Sequence, residues 1–468
     1  MTPPADTHSD GHTAIARTVP EQDDATGRRT TPVAQTAFFI VFWLWALYGF
    51  PSDEWFKDIQ VLRPYLQLLL DLAMAAIAFA VVRRRRVWIA IGAFAAFTWA
   101  VSCLVNDLAT SFWLNGMREF IGLLLAYPVV IEFCRDTEGR RRFSDALDFH
   151  MRIFLCIQAF CIIYQFLRYG AGDAGGGSFG HNYSGQVSMM IYLASFYIIR
   201  RRIAQCGSVL PALRSGWGYI ALLLPTFLNE TKVSFILLAL YILLLVPIDR
   251  KMLIRLTVIL PLVGAVSWLG FELYTTAVRA SDNAYEIKSA EDFVAYFMVE
   301  DIENTKGGAL WDIENNGKAD VPRLTKLMYL PLLEQQEPGH VALGFGVGHF
   351  KGGIIGESEF ARNYDWLLMG SIPYLFHIYI QLGIVGIVLL MLYWIALLAL
   401  RPQGRLSTEG NRRDVPLQIM IAASVLIIFF YNDTLRNLPM CMLLFSLLAV
   451  SWHGDDGVAA ATEVTTEE

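Results

Sequence analysis

The chain has 468 residues, of which 55% are hydrophobic and only 17% are charged, and its mean hydropathy is +0.44. Soluble domains are about 45–50% apolar and about 25% charged, so this composition indicates an integral membrane protein. The formal net charge of −6 excludes the basic field that a nucleic-acid partner requires, and the placement of the six cysteines indicates no disulfide framework.

Both ends of the chain are polar. Residues 1–32 are rich in Pro and Thr and too poor in apolar side chains to bury a core, so we expect a disordered cytoplasmic tail. No basic segment followed by a short apolar stretch opens the chain, so no cleavable signal peptide is predicted, and the first span should act as its own insertion signal. Residues 454–468 are predicted to form a second solvated, cytoplasmic tail.

Between the tails, apolar runs recur at the length of about 20 residues that a bilayer-spanning helix needs. They predict an all-α, polytopic membrane protein of about twelve transmembrane helices, nine in residues 33–273 and three in residues 371–453. The count is good to about one span, because the seventh run is short and contains Pro225, and the fourth begins with Arg118 and Glu119. The runs are 33–50, 61–82, 87–105, 117–133, 149–168, 183–199, 216–229, 232–248, 252–273, 379–400, 416–431 and 436–452.

Basic residues predict the orientation. Lys and Arg concentrate in short cytoplasmic loops, and here they follow every second span, while the alternate short loops are nearly free of them. Both termini are therefore predicted to be cytoplasmic. The basic groups are Arg83, Arg84, Arg85 and Arg86; Arg135, Arg140, Arg141 and Arg142; Arg200, Arg201 and Arg202; Arg250 and Lys251; and Arg401, Arg405, Arg412 and Arg413.

The same parity places residues 274–370 outside the cytoplasmic membrane, between the ninth and tenth spans. A connection of this length is uncommon unless it has a function. The pieces AEDFVAYFMVEDI and PRLTKLMYLPLLEQQ have apolar residues at helical spacing, and the second begins with Pro322, a residue typical of helix starts. The sequence predicts a large, mainly helical periplasmic loop domain. It contains no GxxxxGK[ST] stretch, so no P-loop energy source is predicted.

Ionisable side chains gather at the predicted outer ends of spans. Each would cost about 2.5–3.5 kcal/mol at a helix centre, so such residues are candidates for lining a cavity. The alternative is snorkelling or ion pairing at headgroup level, and Arg118 and Glu119 could pair as neighbours on one helix. Lys232 is the strongest candidate, because a tight turn holds it near the bundle. The others are Arg63, Glu230, Asp433 and Arg436.

The chain contains two glycine-rich segments. GAGDAGGGSFGHNYSG, between spans five and six, is either a flexible linker before a helix capped by Asn182 or Ser184, or a lip whose backbone N–H groups approach a phosphate. LGFGVGHF at 343–350 lies in the long loop. It neither follows a strand nor opens a helix, so we reject a dinucleotide site.

Several short motifs occur in a fixed order along the predicted spans. They are His181-Asn182-Tyr183-Ser184, Thr231-Lys232, Arg323 opening a loop helix, the glycine stretch with Gly344 and Gly346, and Gly383-Ile384-Val385-Gly386. In these motifs and in topology, the sequence resembles the bacterial O-antigen ligase and Wzy-type polysaccharide polymerase superfamily, whose large periplasmic loop lies between spans nine and ten. The family's ligases place a His-Asn pair further before the GllG helix. Here His377 is closer to the glycine and Ile378 stands where Asn would follow, which favours a polymerase-like branch and leaves the catalytic histidine open.

The resemblance implies a metal-independent glycosyltransferase, without a cofactor, in the bacterial inner membrane. It would transfer or polymerise oligosaccharide repeat units from an undecaprenyl-diphosphate carrier at the periplasmic face, in exopolysaccharide, capsule or O-antigen synthesis. The expected partners are the undecaprenyl-diphosphate-linked oligosaccharide, membrane lipid and a chain-length regulator protein, with no nucleic acid.

The resemblance also assigns roles. Charge that develops on a diphosphate leaving group needs fixed cations, so Lys232 and Arg323 are the candidate clamp, with Arg118 and Arg279 as further members. His377 is the first choice of general base, because imidazole titrates near neutral pH, although it could be a purely structural histidine. Alternative bases are His349, Asp365 and Glu357. His181, Asn182, Gly344, Gly346 and His349 are candidate substrate-binding residues, and Trp311, Tyr329, Tyr364 and Trp366 either stack on sugars or form the loop's core.

Other functions stay open at this point. An O-antigen ligase would use the same carrier with lipid A core as acceptor. A lipid-linked sugar transporter or flippase would need broken helices or inverted repeats around a midplane site, and the sequence shows no duplicated halves. A non-catalytic assembly partner would tolerate Ala at the loop charges. A peptidoglycan-type polymerase relies on an acidic residue in a shorter loop, which has no counterpart that we can place.

Overall fold

The computed structural model describes residues 25–170, 175–229, 233–245, 340–349, 358–364, 372–399 and 414–452, with a few positions between 261 and 333. Within these residues all regular structure is helical and no strand occurs, which confirms the all-α prediction. Six of the described helices are long and apolar enough to cross a membrane, and three more are apolar but shorter. The count of twelve spans, the orientation and the long loop stay predictions, because the ninth run and most of the loop fall outside the described residues.

Twelve described α-helices follow one another along the chain, joined by short 3₁₀ turns and by a π-helical turn at Ala100–Val105. They are α1 Ala25–Glu54, α2 Arg63–Val81, α3 Arg85–Trp99, α4 Thr110–Phe133, α5 Thr137–Tyr169, α6 Ser184–Cys206, α7 Val209–Ala221, α8 Val233–Leu245, α9 Glu359–Asn363, α10 Tyr374–Ala399, α11 Val415–Tyr431 and α12 Leu438–Ser451.

Helix burial separates the centre of the bundle from its lipid-facing side. On α6, the first four turns are buried on nearly all sides, as expected for a helix that is apolar all round. On α2, Leu70, Met74 and Ile77 are buried, whereas Leu69 and Leu72 are exposed although they are apolar. An exposed apolar stripe at helical spacing is what a helix at the bundle surface presents to lipid. α4 packs between α2 and α12.

A glycine interrupts α10. Gly383 has φ +60° and ψ −171°, so α10 is interrupted there. Segment 341–346 supplies the missing partners: the Ile384 amide donates to the Val341 carbonyl at 3.1 Å, and the Phe345 amide donates to the Ile380 carbonyl at 2.7 Å. Backbone groups inside a membrane must find partners within the protein. The docked segment therefore lets the interrupted helix persist.

Close approach explains the glycines of this docked segment. A Cβ on Gly344 would lie 2.5 Å from the Gly383 amide nitrogen, and one on Gly346 would lie 2.7 Å from the Cα of Ser102. Both residues also have positive φ, at +73° and +90°, which glycine adopts without steric cost.

The glycine-rich segment before α6 is packed into the bundle over its described part. Gln165 of α5 accepts from the Gly177 amide at 2.8 Å and donates to the Gly177 carbonyl at 3.1 Å, and Gln158 accepts from the Ser178 amide at 2.9 Å. The flexible-linker interpretation is therefore wrong for residues 175–183. The expected caps are wrong too, because α6 starts after Tyr183 and no side chain caps it.

Candidate functional site

One end of the bundle contains a polar cavity of about 430 Å³. It lies where α1 ends and where α2, α6 and α12 begin, and we call this the cavity end. The charged groups of its wall come from α2, α4, the segment before α6 and the turn between α11 and α12. They are Arg63, Asp71, Arg118, Glu119, His181, Asp433 and Arg436.

Two helices contribute four of the seven charged groups of this wall. On α2, Arg63, Gln67 and Asp71 are spaced by four residues and therefore share one face. On α4, Arg118 and Glu119 both reach the cavity about two turns into the helix. The three arginines are matched in number by three carboxylates, so the cavity has oriented charges and no bulk positive field.

Arg118 does not pair with its neighbour Glu119, and that sequence-based alternative is wrong. Its Nε donates to Asp71 Oδ2 at 2.9 Å and its Nη1 to Asn115 Oδ1 at 3.3 Å. Successive residues of an α-helix point in different directions, so Arg118 turns towards α2, whereas Glu119 turns towards α10 and the turn before α12.

Glu119 joins Arg436 to His377. Its Oε1 accepts from the Arg436 guanidinium, with an Nε–Oε1 distance of 2.9 Å and a second contact from Nη2. Its Oε2 lies 2.7 Å from His377 Nε2 and 3.5 Å from the Gln381 amide nitrogen. Arg436 also donates to Asp433 through Nη1. His377 is only 4% exposed and lies behind Glu119, so the predicted base is close to the cavity without lining it.

His181 is the histidine of the cavity wall in the described part of the chain. Its Nε2 lies 3.0 Å from Glu54 Oε1, and the Glu54 side chain is fully buried. The other oxygen of Glu54 accepts from the Tyr169 hydroxyl at 2.9 Å and from Arg168 Nη1 at 3.1 Å. The His181 side chain is 33% exposed. This pair therefore combines a held imidazole with access to the cavity.

Backbone geometry places His181. Its amide donates to Asp53 Oδ2 at 2.7 Å. Gly180 has φ +90°, and a Cβ there would lie 2.1 Å from the same Asp53 oxygen. Asn182 has φ +67°, a conformation that asparagine tolerates better than most residues. The turn thus depends on residue types that accept positive φ on both sides of the histidine.

Aromatic side chains form one wall. Trp45 packs against Tyr183 edge to face, with ring centroids 6.1 Å apart. The Arg63 guanidinium lies 4.9 Å from the centre of the Tyr183 ring and donates to the Phe179 carbonyl at 3.0 Å. A cation over an aromatic face is held in place by the ring quadrupole.

The other predicted site residues lie elsewhere or outside the described structure. Gly344 and Gly346 belong to the segment docked on α10, His349 follows that segment, and none of the three lines the cavity. Burial and the neighbouring His340 lower the pKa of His349 to about 4. The roles of Gly344, Gly346 and His349 in substrate binding stay predictions. Lys232, Arg279, Arg323 and Asp365, together with Glu357, Trp311, Tyr329 and Trp366, lie outside the described residues.

Tyr364 belongs to a small apolar cluster. Its ring centroid lies 4.4 Å from that of Phe360, and both pack against Phe345, Phe376 and Ile380. These contacts favour a packing role over stacking on a sugar. Among the described residues, no group of three or more His, Cys, Asp or Glu side chains could hold a metal ion.

Sequence reasoning missed three acidic residues of the site. Asp71 was hidden inside a span, and Asp53 and Glu54 follow Pro51 at the end of the first apolar run. The i, i+4, i+8 spacing of Arg63, Gln67 and Asp71 was the signal that could have exposed Asp71, because it defines one polar helix face. Comparison of the chain with protein-family models, with curated proteins and with solved structures found no match.

Proposed function

We propose that this protein is a metal-independent membrane glycosyltransferase that transfers or polymerises oligosaccharide units from an undecaprenyl-diphosphate carrier at the periplasmic face of the inner membrane. One observation carries the proposal. Arg63, Arg118 and Arg436 line a single cavity, and each is held by specific partners. The family resemblance names the carrier, and the cavity supplies donors suited to its diphosphate.

Oriented arginines suit a diphosphate leaving group. As the sugar–oxygen bond breaks, negative charge grows on the phosphate oxygens, and fixed N–H donors stabilise it without reorganising. A guanidinium has five N–H donors, so Arg118 can hold Asp71 and Asn115 and still offer donors to a ligand. The carboxylates therefore orient the arginines, in the way that supporting hydrogen bonds position a binding group.

The depth of the cavity supports chemistry at the membrane surface. The connection between α1 and α2 exposes Trp55 and Phe56, which are 57% and 58% accessible. Aromatic side chains concentrate at the headgroup level of a bilayer. Arg63 begins the next helix, so it would lie at the depth of a carrier's diphosphate. A transporter would instead place its site near the midplane.

The aromatic wall suits the glycan. Sugars present apolar C–H faces that pack on aromatic rings, and Trp45 and Tyr183 stand beside the arginines. In the proposed step, an acceptor hydroxyl oxygen attacks the anomeric carbon, and the bond from that carbon to the diphosphate breaks. The bond's electrons remain on the phosphate oxygen, and the hydroxyl proton passes to a base.

The test replaces the arginines one at a time. Cells that lack the chromosomal gene would express Arg118→Ala or Arg436→Ala, and mass spectrometry of lipid extracts would measure carrier-linked oligosaccharide. We expect both variants to accumulate it and to lose surface polymer at unchanged protein level. Arg142→Ala is the matched control, because Arg142 pairs with Glu138 at the opposite end of the bundle.

The outcomes separate the alternatives. Normal polymer in both arginine variants would sink the proposal. A ladder of repeat lengths lost on deletion indicates a polymerase, whereas unlinked polymer that accumulates on its carrier indicates a ligase. If the accumulated units resist a glycosidase added to intact spheroplasts, they lie on the inner face, and the transporter function is correct instead.

A further inference from the structure

We propose that His181 accepts the proton of the attacking hydroxyl and that Glu54 is its positioning residue. This assignment rests on the proposed function, and it replaces His377 as the first choice of base. The two candidate histidines differ in their access to the cavity. Among the described histidines, His181 lines the arginine cavity, whereas His377 is 4% exposed and lies behind Glu119.

The hydrogen bond to Glu54 selects a tautomer suited to a base. An ionised carboxylate only accepts hydrogen bonds, so His181 Nε2, which lies 3.0 Å from Glu54 Oε1, carries the ring proton. Nδ1 then has the free lone pair that proton abstraction requires. A carboxylate that orients an imidazole and stabilises the imidazolium formed on protonation is the logic of the Ser-His-Asp triad.

Glu54 is held in place by several partners. It is fully buried, and its second oxygen accepts from the Tyr169 hydroxyl and from Arg168. The Tyr169 ring also packs edge to face on the His181 ring, with centroids 5.1 Å apart. The imidazole is therefore fixed from two directions.

The second histidine–glutamate pair, His377 with Glu119, lacks access to the cavity. Glu119 gives one oxygen to two Arg436 donors and the other to His377 and Gln381, so its acceptor sites are already used. His377 faces this carboxylate in a buried position. A base must come within hydrogen-bond reach of the proton it abstracts, and His181 lines the cavity with one-third of its side chain exposed, whereas His377 does not line it.

The proposed step conserves atoms and charge. The hydroxyl proton moves to His181 Nδ1 while the hydroxyl oxygen bonds to the anomeric carbon. The carbon–oxygen bond to the diphosphate breaks, and its electron pair stays on the carrier's phosphate, beside Arg118 and Arg436. Glu54 balances the imidazolium until the proton passes to water. No oxidant, reductant or metal takes part in this step.

The experiment separates binding from transfer. Purified His181→Gln, Glu54→Gln and wild-type protein in lipid nanodiscs would be titrated with undecaprenyl diphosphate, and the same variants would be scored in deletion cells for carrier-linked oligosaccharide and polymer. We expect His181→Gln to bind the probe within about twofold of wild type and to lose about 100-fold or more in transfer, the range of a general base. His150→Gln, a histidine that accepts from Trp43 away from the cavity, should change neither.

Rescue distinguishes a base from a structural residue. Imidazole added to His181→Ala spheroplasts should restore part of the transfer, and Glu54→Asp should retain more activity than Glu54→Gln. Full transfer by His181→Gln, while Arg118→Ala remains defective, would overturn the base assignment and leave the proposed function intact. If wild type neither binds undecaprenyl diphosphate nor changes carrier-linked oligosaccharide, both proposals are overturned. If the His181→Gln protein does not accumulate in cells, the test depends on His181→Ala. Failure of added imidazole to restore transfer in His181→Ala would then contradict the assignment of His181 as the base.

Discussion

Two histidine–glutamate pairs lie at the cavity end of the same bundle, and they differ in what surrounds the carboxylate. His181 lies 3.0 Å from Glu54 and is one-third exposed, whereas His377 lies 2.7 Å from Glu119 and is nearly inaccessible. Glu119 accepts from Arg436 and also contacts His377, so it links α4, α10 and the turn before α12. Glu54 is held by Tyr169 and Arg168, which come from the end of α5.

This difference in exposure and in carboxylate partners makes His181–Glu54 the reactive pair and His377–Glu119 the structural pair. Identical residue types at similar distances can serve either purpose, because access and the number of competing partners decide whether the imidazole can take a new proton. A buried carboxylate between an arginine and a histidine mainly fixes both of them. Four measurements test whether the two pairs differ in this way.

The largest effect is expected at Glu119. Glu119→Ala would remove a buried carboxylate that Arg436 and the buried His377 share, and breaking such a pair costs about 3–5 kcal/mol. Thermal unfolding of the detergent-solubilised protein should show a strongly lowered midpoint or no folded protein. Glu138→Ala is the control, because this carboxylate is exposed and its pair with Arg142 stabilises little. Equal midpoints for the two variants would contradict the structural role of Glu119.

A histidine without a carboxylate provides the next test. His349 has a folded-state pKa of about 4, against 6.5 in the unfolded chain. Between these values the unfolded chain binds more protons, so stability rises with pH. The contribution of the neutral ring is complete above pH 6.5, declines as pH falls and is lost near pH 4, by about 3 kcal/mol at most.

Replacement of His349 isolates this contribution. The unfolding midpoint of wild type and of His349→Phe would be followed from pH 7 to pH 4. We expect the midpoint of the variant to fall less steeply over this range, because phenylalanine binds no proton. Parallel curves for the two proteins would show that this ring is protonated equally in folded and unfolded chains.

A smaller effect is expected from the turn that carries His181. Gly180→Ala adds a Cβ 2.1 Å from Asp53 Oδ2 at a residue with φ +90°, and strain of this kind costs about 1–3 kcal/mol. The unfolding midpoint should fall, and carrier-linked oligosaccharide should accumulate because the imidazole shifts. Gly92→Ala is the control, since its Cβ would meet nothing within 4 Å and alanine favours the helix. A normal midpoint and normal polymer in Gly180→Ala would show that the turn adapts.

The smallest effect is expected at His181, which the last test compares with His377. His377→Gln disturbs a buried hydrogen bond to Glu119 and should cost about 1–3 kcal/mol of folding free energy. His181→Gln changes a partly exposed ring and should stay within about 0.5 kcal/mol of wild type. Unfolding midpoints measured side by side would check the order. The reverse order would mean that His181 is the structural residue of the two.

Much of the helical framework could be predicted from the chain, and much of the site could not. A helix or helical turn is found at the described part of each predicted span outside the ninth, because apolar runs of that length must satisfy their backbone groups internally. Arg63, Arg118, Glu119, Asp433 and Arg436 were also recognised as charges near span ends. The sequence pattern did not predict which of these charged residues pair with one another.

Hydropathy and helical periodicity are local properties of the chain, so the sequence is sufficient to predict an all-α membrane protein with ionisable residues at the ends of its helices. The pairing of each carboxylate with its imidazole is visible only in the folded protein. Glu54 and His181 are 127 residues apart in the chain, and Glu119 and His377 are 258 apart. Such contacts follow from how the helices pack, and packing also buries one histidine while leaving the other open to the cavity.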